Sequence, residues 1–416
     1  RVKIRKKDSV VILMFSLLSY ASVFDTGAKI RESAWEPQKS LKKVCLLKRF
    51  NYICRCKGCR NPCNGICIML EHKTTIRDIA LEAGVSISLV SFVMNGKTRG
   101  KHNVNPDTAK RILEIAERLN YQPNNAARSL RSGRTNTIGV ILSDISNKFF
   151  ADIARCIEDK ASQYKYIVLF GSTDENPKKL DSLIDAFLNR GVDGLIIVPC
   201  EGSEKTIQRL VDMNIPLVLL DRTFEKLDVS SVVLNNRKAM VMAVDHLQSQ
   251  GYRRIELVSY VTTISNIMDR ERGYVQAMKQ TEGGECPRVH RIKYQDIASQ
   301  MAQLIPQIIR NGAEAIIFST NRLAIESLKV LRDNNILIPR DVAIIAFDGS
   351  ETFAFELYYT SISYIKQPIE QFGFEALDLI VKLINKKGDT DCSTVVLNPK
   401  LVVQNSSEMP VFAPED

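Results

Sequence analysis

Residues 75–96 read TIRDIALEAGVSISLVSFVMNG, and their spacing sets the organisation of the front of the chain. Thr75 followed three residues later by Asp78 is a capping-box-like start. Ile76, Ile79, Ala80 and Ala83 then recur at i, i+3, i+4 and i+7, one apolar face of a short helix. Gly84 stands where that helix must turn, because only glycine enters the left-handed region without steric cost. Ser86 can cap a second helix in which Leu89, Val90 and Val93 face inward, and Asn95-Gly96 ends it. After the basic residues Lys97, Arg99, Lys101 and His102, Asn105-Pro106-Asp107 opens a third helix with a capping Asn, a first-turn Pro and a carboxylate. Ile112, Leu113, Ala116 and Leu119 carry its expected buried stripe, and Tyr121-Gln122-Pro123 stops it. Three short helices need one another to bury anything, and the compact solution is a helix-turn-helix. Its second helix offers Ile87, Ser88, Ser91 and Phe92 to the major groove, and the helix start at Ser86 favours a nearby phosphate. A plain helical hairpin is the rival reading, and context decides between them.

Around this module the chain is uneven. Its 416 residues suggest two to four domains at ~100–200 residues each. With 45% hydrophobic and 25% charged residues it is of ordinary globular composition, which excludes a disordered or collagen-like chain. The net charge of +10 sits at the front: residues 1–70 hold 15 Lys/Arg against 4 Asp/Glu, residues 71–136 hold 11 against 6, and residues 137–416 hold 31 against 37. Only the front looks built for phosphates. Six of ten cysteines (Cys45, Cys54, Cys56, Cys59, Cys63, Cys67) also fall there. The scattered Cys156, Cys200, Cys286 and Cys392 read as a reduced, intracellular body without a disulfide framework. The longest apolar run, Val10 to Leu18, is short of the ~18–20 residues a membrane span needs. Behind Arg1, Lys3, Arg5, Lys6 and Lys7 it resembles a secretory signal, and Cys54, Cys56, Cys59, Cys63 and Cys67 resemble a zinc cluster. The preferred expectation is different: translation starts at Met69, just ahead of the organised text, and 1–68 is an extension outside the fold.

After Thr137 short apolar runs alternate with amphipathic stretches. Ile138 to Leu142, Tyr166 to Phe170, Gly194 to Val198 and Pro216 to Leu220 read as buried parallel strands, with helices expected over Phe150 to Gln163, Lys178 to Arg190 and Lys205 to Met213. A second series begins near Val232, with strands at Ile255 to Ser259, Ala315 to Phe318 and Ala343 to Phe347. This βαβ alternation predicts α/β architecture with doubly wound parallel sheets in two lobes. Ligands of such sheets bind outside the strand carboxyl ends, which selects Ser143-Asp144, Asp221-Arg222, Thr320-Asn321 and Asp348. Phe149, with Phe150 beside it, offers a flat face to a sugar ring. Asp144 and Asp221 could instead cap the following helices, Phe149 could be core, and His246 reads as a packed or solvated side chain. There is no nucleophile–base pairing, phosphate loop or metal spacing within the core, so no enzyme, cofactor or metal is expected.

Thr75-Ile76-Arg77-Asp78-Ile79-Ala80, Gly84-Val85-Ser86, Leu89-Val90-Ser91 and Val93-Met94-Asn95-Gly96 together resemble the DNA-binding head of the lactose-repressor/galactose-repressor family of bacterial transcription regulators. Asn120-Tyr121-Gln122-Pro123-Asn124 and Ala126-Ala127-Arg128-Ser129-Leu130 resemble its hinge, and the resemblance runs on to about residue 405. It implies a helix-turn-helix head (74–123), a hinge helix (124–136) and a periplasmic-binding-protein-like core crossed three times by the chain. The expected N-lobe is 137–234 with about 349–363, the C-lobe 235–348 with about 364–405, and 406–416 a tail. DNA contacts are expected from Thr75, Ser86, Ile87, Ser88, Ser91, Phe92, Asn95, Lys97, Asn124, Ala127, Arg128, Leu130 and Arg131. Leu130 matches the family's minor-groove wedge, while Arg128, Arg131 and Arg134 can hold flanking phosphates.

Phe92 departs from the family's usual Arg and cannot make a bidentate guanine contact. Leu89 likewise stands where Thr is frequent. Arg270 resembles the effector-binding Arg, and Asn321 stands where many relatives have Asp. Asn266 and Tyr294 complete the effector set by rough alignment.

These features predict a cytoplasmic homodimeric repressor controlled by a small molecule, a sugar or sugar derivative. The alternatives are an exported sugar-binding receptor, which needs no basic head, and an enzyme on the same layers. Only twelve residues follow Gln404, without a heptad run, which argues against a tetramerising coiled coil.

Overall fold

The structure is a computed structural model describing residues 74–95, 104–122, 133–280, 286–349, 358–385 and 392–409. The chain divides after Pro123 into two compact units. The cysteine-rich stretch, Lys97 and the hinge residues Asn124, Ala127, Arg128, Leu130 and Arg131 lie outside the described residues.

Among the described residues of the first unit three helices, α1 (Ile76–Ala83), α2 (Ile87–Met94) and α3 (Pro106–Arg118), form where the caps require them. The Thr75 N–H and hydroxyl both donate to the Asp78 carboxylate, at 2.9 and 2.8 Å. Gly84 closes α1 at φ 64°, the left-handed conformation that lets α2 depart at once. Ser86 Oγ accepts from Leu89 N–H (3.2 Å), and Asn105 Oδ1 from Asp107 N–H (2.9 Å). Nine buried residues form the shared core, among them Ile79, Val90, Val93 and Ile112. The expected stripe of α3 is corrected at one position. Leu113 is half exposed and Ile115 is buried instead, because one step along a helix turns about 100° away from Ile112 while three steps return to its face.

The second unit holds two six-stranded sheets. The first comprises β1 (Thr137–Leu142), β2 (Ile167–Ser172), β3 (Gly194–Ile197), β4 (Leu217–Leu220), β5 (Ser231–Leu234) and β11 (Thr394–Leu397), in the order β11-β5-β4-β3-β1-β2, all parallel. The second comprises β6 (Ile255–Tyr260), β7 (Arg288–Ile292), β8 (Ala315–Phe318), β9 (Ala343–Phe347), β10 (Ser363–Lys366) and β12 (Lys400–Val402), in the order β12-β10-β9-β8-β6-β7, with only β12 antiparallel. Helices α4 (Lys148–Gln163), α5 (Pro177–Asn189) and α6 (Glu204–Asp212) belong to the first lobe. The second lobe contains α7 (Asn236–Ser249), α8 (Ser265–Gln280), α9 (Ile297–Arg310) and α10 (Asn321–Asp333).

The last α-helix, α11 (Ile369–Asn385), corrects the expected lobe boundaries. It packs on α4 and on β3, β4 and β5, and β11 after it completes the first sheet, so Ile369–Asn385 and Thr394–Leu397 belong to the N-lobe rather than the C-lobe. Conversely, Tyr358 and Ile362 pack into the C-lobe core and the Tyr359 hydroxyl accepts from Ile338 N–H (2.6 Å). This places 358–366 in the C-lobe, not the N-lobe. The physical reason is apolar demand: the parallel strands β3–β5 need a helix over them, and α11 buries Phe372, Ala376, Leu377 and Ile380 there. The chain therefore crosses between lobes after β5, after β10 and after β11. Gly373 permits the close approach of α11 to α4, since a Cβ there would lie 2.6 Å from Cys156 Cβ.

Candidate functional site

Both sheets have a switch point, between β1 and β3 in one lobe and between β6 and β8 in the other, where helices depart to opposite faces. A cleft of about 260 Å³ lies at the strand carboxyl ends of both lobes. From the N-lobe come Ser143 and Asp144 after β1, Glu175 after β2, Glu201 after β3, Arg222 after β4 and Phe150 on α4; from the C-lobe come Tyr260 and Thr262 at the end of β6, Tyr294 after β7, and Thr320, Asn321 and Arg322 after β8. Three carboxylates and two guanidiniums thus share a small volume.

Each charge has a physical account. Arg222 forms a two-pronged bond to Glu175, 2.8 and 2.7 Å, and reaches Pro199 O at 3.1 Å. Glu175 raises the Arg222 pKa, overcoming the opposing effect of burial. Asp144 accepts from Ser146 N–H and hydroxyl (2.8 and 2.6 Å), a local turn. Glu201 reaches across the lobes and accepts from Thr263 N–H (2.9 Å), Thr263 Oγ1 (2.6 Å) and Thr262 Oγ1 (3.3 Å). Thr223 N–H donates to Ser265 Oγ (3.0 Å), a second bond between lobes. Arg322 donates to the Tyr294 hydroxyl (2.9 Å) and stacks over its ring. Burial pushes the Tyr260 phenol up to about 12, so it stays a hydrogen-bond donor. The buried Ser143 Oγ, lining the cleft, has no hydrogen-bond partner among the described residues.

Of the expected effector residues, Asp144, Phe150, Tyr294 and Asn321 line this cleft. The buried Asp221, Asn266 and Arg270 and the part-buried Asp348 form a polar layer connected to it through Arg222, whose Nε lies 3.6 Å from Asp221 Oδ2. Asn266 Nδ2 donates to Asp221 Oδ2 (2.8 Å) across the lobes. Arg270 donates to Asn236 Oδ1 (2.8 Å) and Ser319 O (2.7 Å), and lies 3.4 Å over the Phe347 ring centroid. Burial pulls its pKa down to about 10 against the pull of Asp221 and Asp348. Asp348, left-handed at φ 59°, accepts from Gln367 Nε2 (2.7 Å), and burial pushes its carboxyl up to about 7 despite Arg270. In the same layer Asp221 Oδ1, Asn266 Oδ1 and Ser319 Oγ have no hydrogen-bond partner among the described residues. Such atoms are costly unless a ligand or water meets them.

Phe149 does not face the cleft. It packs edge-on against Phe150 (4.9 Å) and Phe372 of α11 (5.8 Å), and of the two neighbours it is Phe150 that lines the cleft. Glu175, Glu201, Tyr260 and Arg322 were not among the expected residues. The strand-end rule could have found Tyr260 at the last position of β6, but nothing local distinguishes Glu175 or Glu201 from solvated acids.

In the first unit Ile87 and Ser88 are exposed at the start of α2, while Ser91 and Phe92 are half-buried. Ser86 Oγ is engaged by its own helix, Thr75 by Asp78, and Asn95 Nδ2 folds back to Ser91 O at 2.6 Å. Arg134, which the sequence offers for a flanking phosphate, donates to Asn385 Oδ1 and Ile384 O, both at 2.7 Å. His246 is packed on α7 against Ser407 Oγ (2.8 Å). Among the described residues no group of three or more His, Cys, Asp or Glu is placed to hold a metal ion, and no helix is long and apolar enough to cross a membrane.

Residues 75–124 match the model of the bacterial regulatory proteins, lacI family, and residues 244–407 match the periplasmic binding protein-like domain. The catabolite control protein A of Priestia megaterium is 32% identical over 338 residues, covering 80% of this chain and 99% of that protein. The ribose operon repressor of Halalkalibacterium halodurans is 30% identical, covering 80% of this chain and 97% of the relative. The lac repressor dimer bound to operator and the anti-inducer ONPF shares the fold with a TM-score of 0.69 at 20% identity, over 81% of this chain and all of that one.

Proposed function

We propose, from the premise that this chain belongs to the lacI family of bacterial regulatory proteins, that it is a repressor whose homodimer grips a pseudo-palindromic operator under the control of a sugar or sugar derivative in the cleft. Membership makes it a DNA-binding transcription regulator and not an enzyme, and the match over 75–124 supports that reading over an exported receptor. Its place of action is the cytoplasm, where the chromosome lies. Two heads related by a twofold axis require twofold symmetry in the DNA. The exposed start of α2 enters the major groove, and Leu130 acts as a minor-groove wedge flanked by Arg128 and Arg131.

The observation that carries the effector half is a cleft built from strand carboxyl ends of both lobes, with hydrogen bonds running directly from one lobe to the other. A ligand that bonds to both walls favours one relative placement of the lobes, and operator affinity follows that placement. The polar lining suits hydroxyl groups, and the relative named as a ribose operon repressor supports a sugar.

The test uses the full chain to select duplexes from fragmented genomic DNA, followed by titration with a panel of sugars and sugar phosphates. An inverted-repeat duplex is expected, with operator affinity moved about tenfold or more by one compound. Leu130→Ala should weaken that duplex far more than it weakens the effector. The reading fails if no fragment is preferred at moderate ionic strength whatever compound is supplied.

A further inference from the structure

The chain enters the core through a short segment with an unusual set of bonds. Arg134 donates Nη1 to Asn385 Oδ1 and Nη2 to Ile384 O, both at 2.7 Å, so its guanidinium sits at the carboxyl end of α11, 250 residues away in sequence. A cation there also meets the negative end of the helix dipole. The next two residues are fastened too. Thr135 N–H and Asn136 N–H each donate to the Asp193 carboxylate (2.8 Å), and Thr135 Oγ1 donates to Gly191 O (2.6 Å).

Helix α11 spans about 25 Å at 1.5 Å per residue. Its apolar face is buried in the N-lobe, and at Gly373 it approaches α4 too closely for a side chain. It therefore moves with that lobe as one body. Its start is connected to the other lobe: Gln367, two residues ahead of α11, donates to Asp348 beside the cleft.

We infer that Arg134 is a positioning residue for operator binding: it removes slack between the hinge and the N-lobe, so that lobe placement sets the geometry at which the hinge meets DNA. Its positive charge acts within the protein, on the end of α11, rather than on a DNA phosphate. The inference rests on the operator-binding reading above.

Two measurements on the full chain test it. The first is affinity, as a function of salt, for a duplex that the unmodified chain selects from fragmented genomic DNA. Arg134→Ala, which removes both bonds to α11, should weaken binding about tenfold, and Asn385→Ala, which removes one, about threefold. The double variant should be no weaker than Arg134→Ala alone, and the salt slope should stay unchanged throughout. A phosphate contact would instead lower the slope by about one unit in Arg134→Ala and leave Asn385→Ala untouched, which overturns the inference, as would additive losses.

The second measurement needs no DNA. Amide hydrogen exchange over residues 133–137 should quicken about tenfold in Arg134→Ala and less in Asn385→Ala. Unchanged exchange in both overturns the clamp. If no duplex is selected, the operator reading falls and exchange alone decides whether the clamp holds the segment.

Discussion

Helix α2 and the interlobe cleft, the surfaces proposed to read DNA and to hold the effector, are built from opposite chemistry. Residues Ile87–Met94 contain no charged side chain. The cleft gathers Asp144, Glu175, Glu201, Arg222 and Arg322 within one small volume. An uncharged helix can read DNA through methyl contacts, hydroxyl bonds and shape, while basic residues elsewhere supply salt-sensitive affinity. A charged cleft can tell a ligand from its near relatives, because a buried charge or hydroxyl left unpaired is expensive. The proposed function thus separates base preference from electrostatic grip in the head, whereas in the cleft it puts selectivity and electrostatics in the same atoms.

The largest test of that contrast is Arg222→Ala. It leaves Glu175 without its cation, while Asp221 keeps only Arg270, and should cost about 3 kcal/mol of core stability in urea unfolding, since breaking a buried pair strands the remaining charge. A loss within a few tenths of a kcal/mol would mean that the cleft charges are as solvated as surface ones. Phe92→Ala comes next. It should reduce discrimination in favour of the selected duplex by about tenfold with no change in salt slope, because an apolar contact releases no counterions. A changed slope would break the separation between preference and grip.

The smallest effect is the pH response of Asp348, which faces Arg270, Asp221 and Gln367. Its folded pKa of about 7 lies above the ordinary carboxylate value, so the folded state holds this proton to higher pH than the unfolded chain does. The stabilisation is complete in acid and is lost as pH rises through about 7. From pH 6 to 8 it should decline by about 1 kcal/mol in thermal or urea unfolding, and Asp348→Asn, which accepts the same left-handed backbone, should remove that slope. An identical slope in the variant would assign the titration to another group.

Much of the fold was legible before any coordinates. The caps Thr75, Ser86 and Asn105 and the turn at Gly84 are local devices acting within three or four residues, and each forms as expected. Apolar runs such as Ala315–Phe318 and Ala343–Phe347 announce buried parallel strands by composition alone. Edge strands were harder. In β7, Arg288, His290 and Arg291 hide the pattern, because an edge strand keeps charge where a central one cannot. The lobe assignment of α11 was not legible either. Its amphipathic face fits a sheet in either lobe, and only the uncovered surface of β3, β4 and β5 selects one.

The site divides along the same line. Asp144 and Asn321 follow strand ends directly, so the rule for parallel sheets reaches them. Phe149 and Phe150 are adjacent, and no local signal says which one turns toward the cleft; packing against Phe372, more than 200 residues on, decides it. Arg134 reads as one more cation in a basic linker until the end of α11 is brought beside it.

By itself the amino-acid order specified the helix boundaries of the head, the alternation of strands and helices, and the family resemblance, because these depend on neighbours close along the chain. Which charge meets which partner, which aromatic ring lines the cleft, and which lobe owns α11 were decided only by the tertiary structure. Hydrogen bonds and desolvation act over a few ångströms of space, and chain distance carries no information about them.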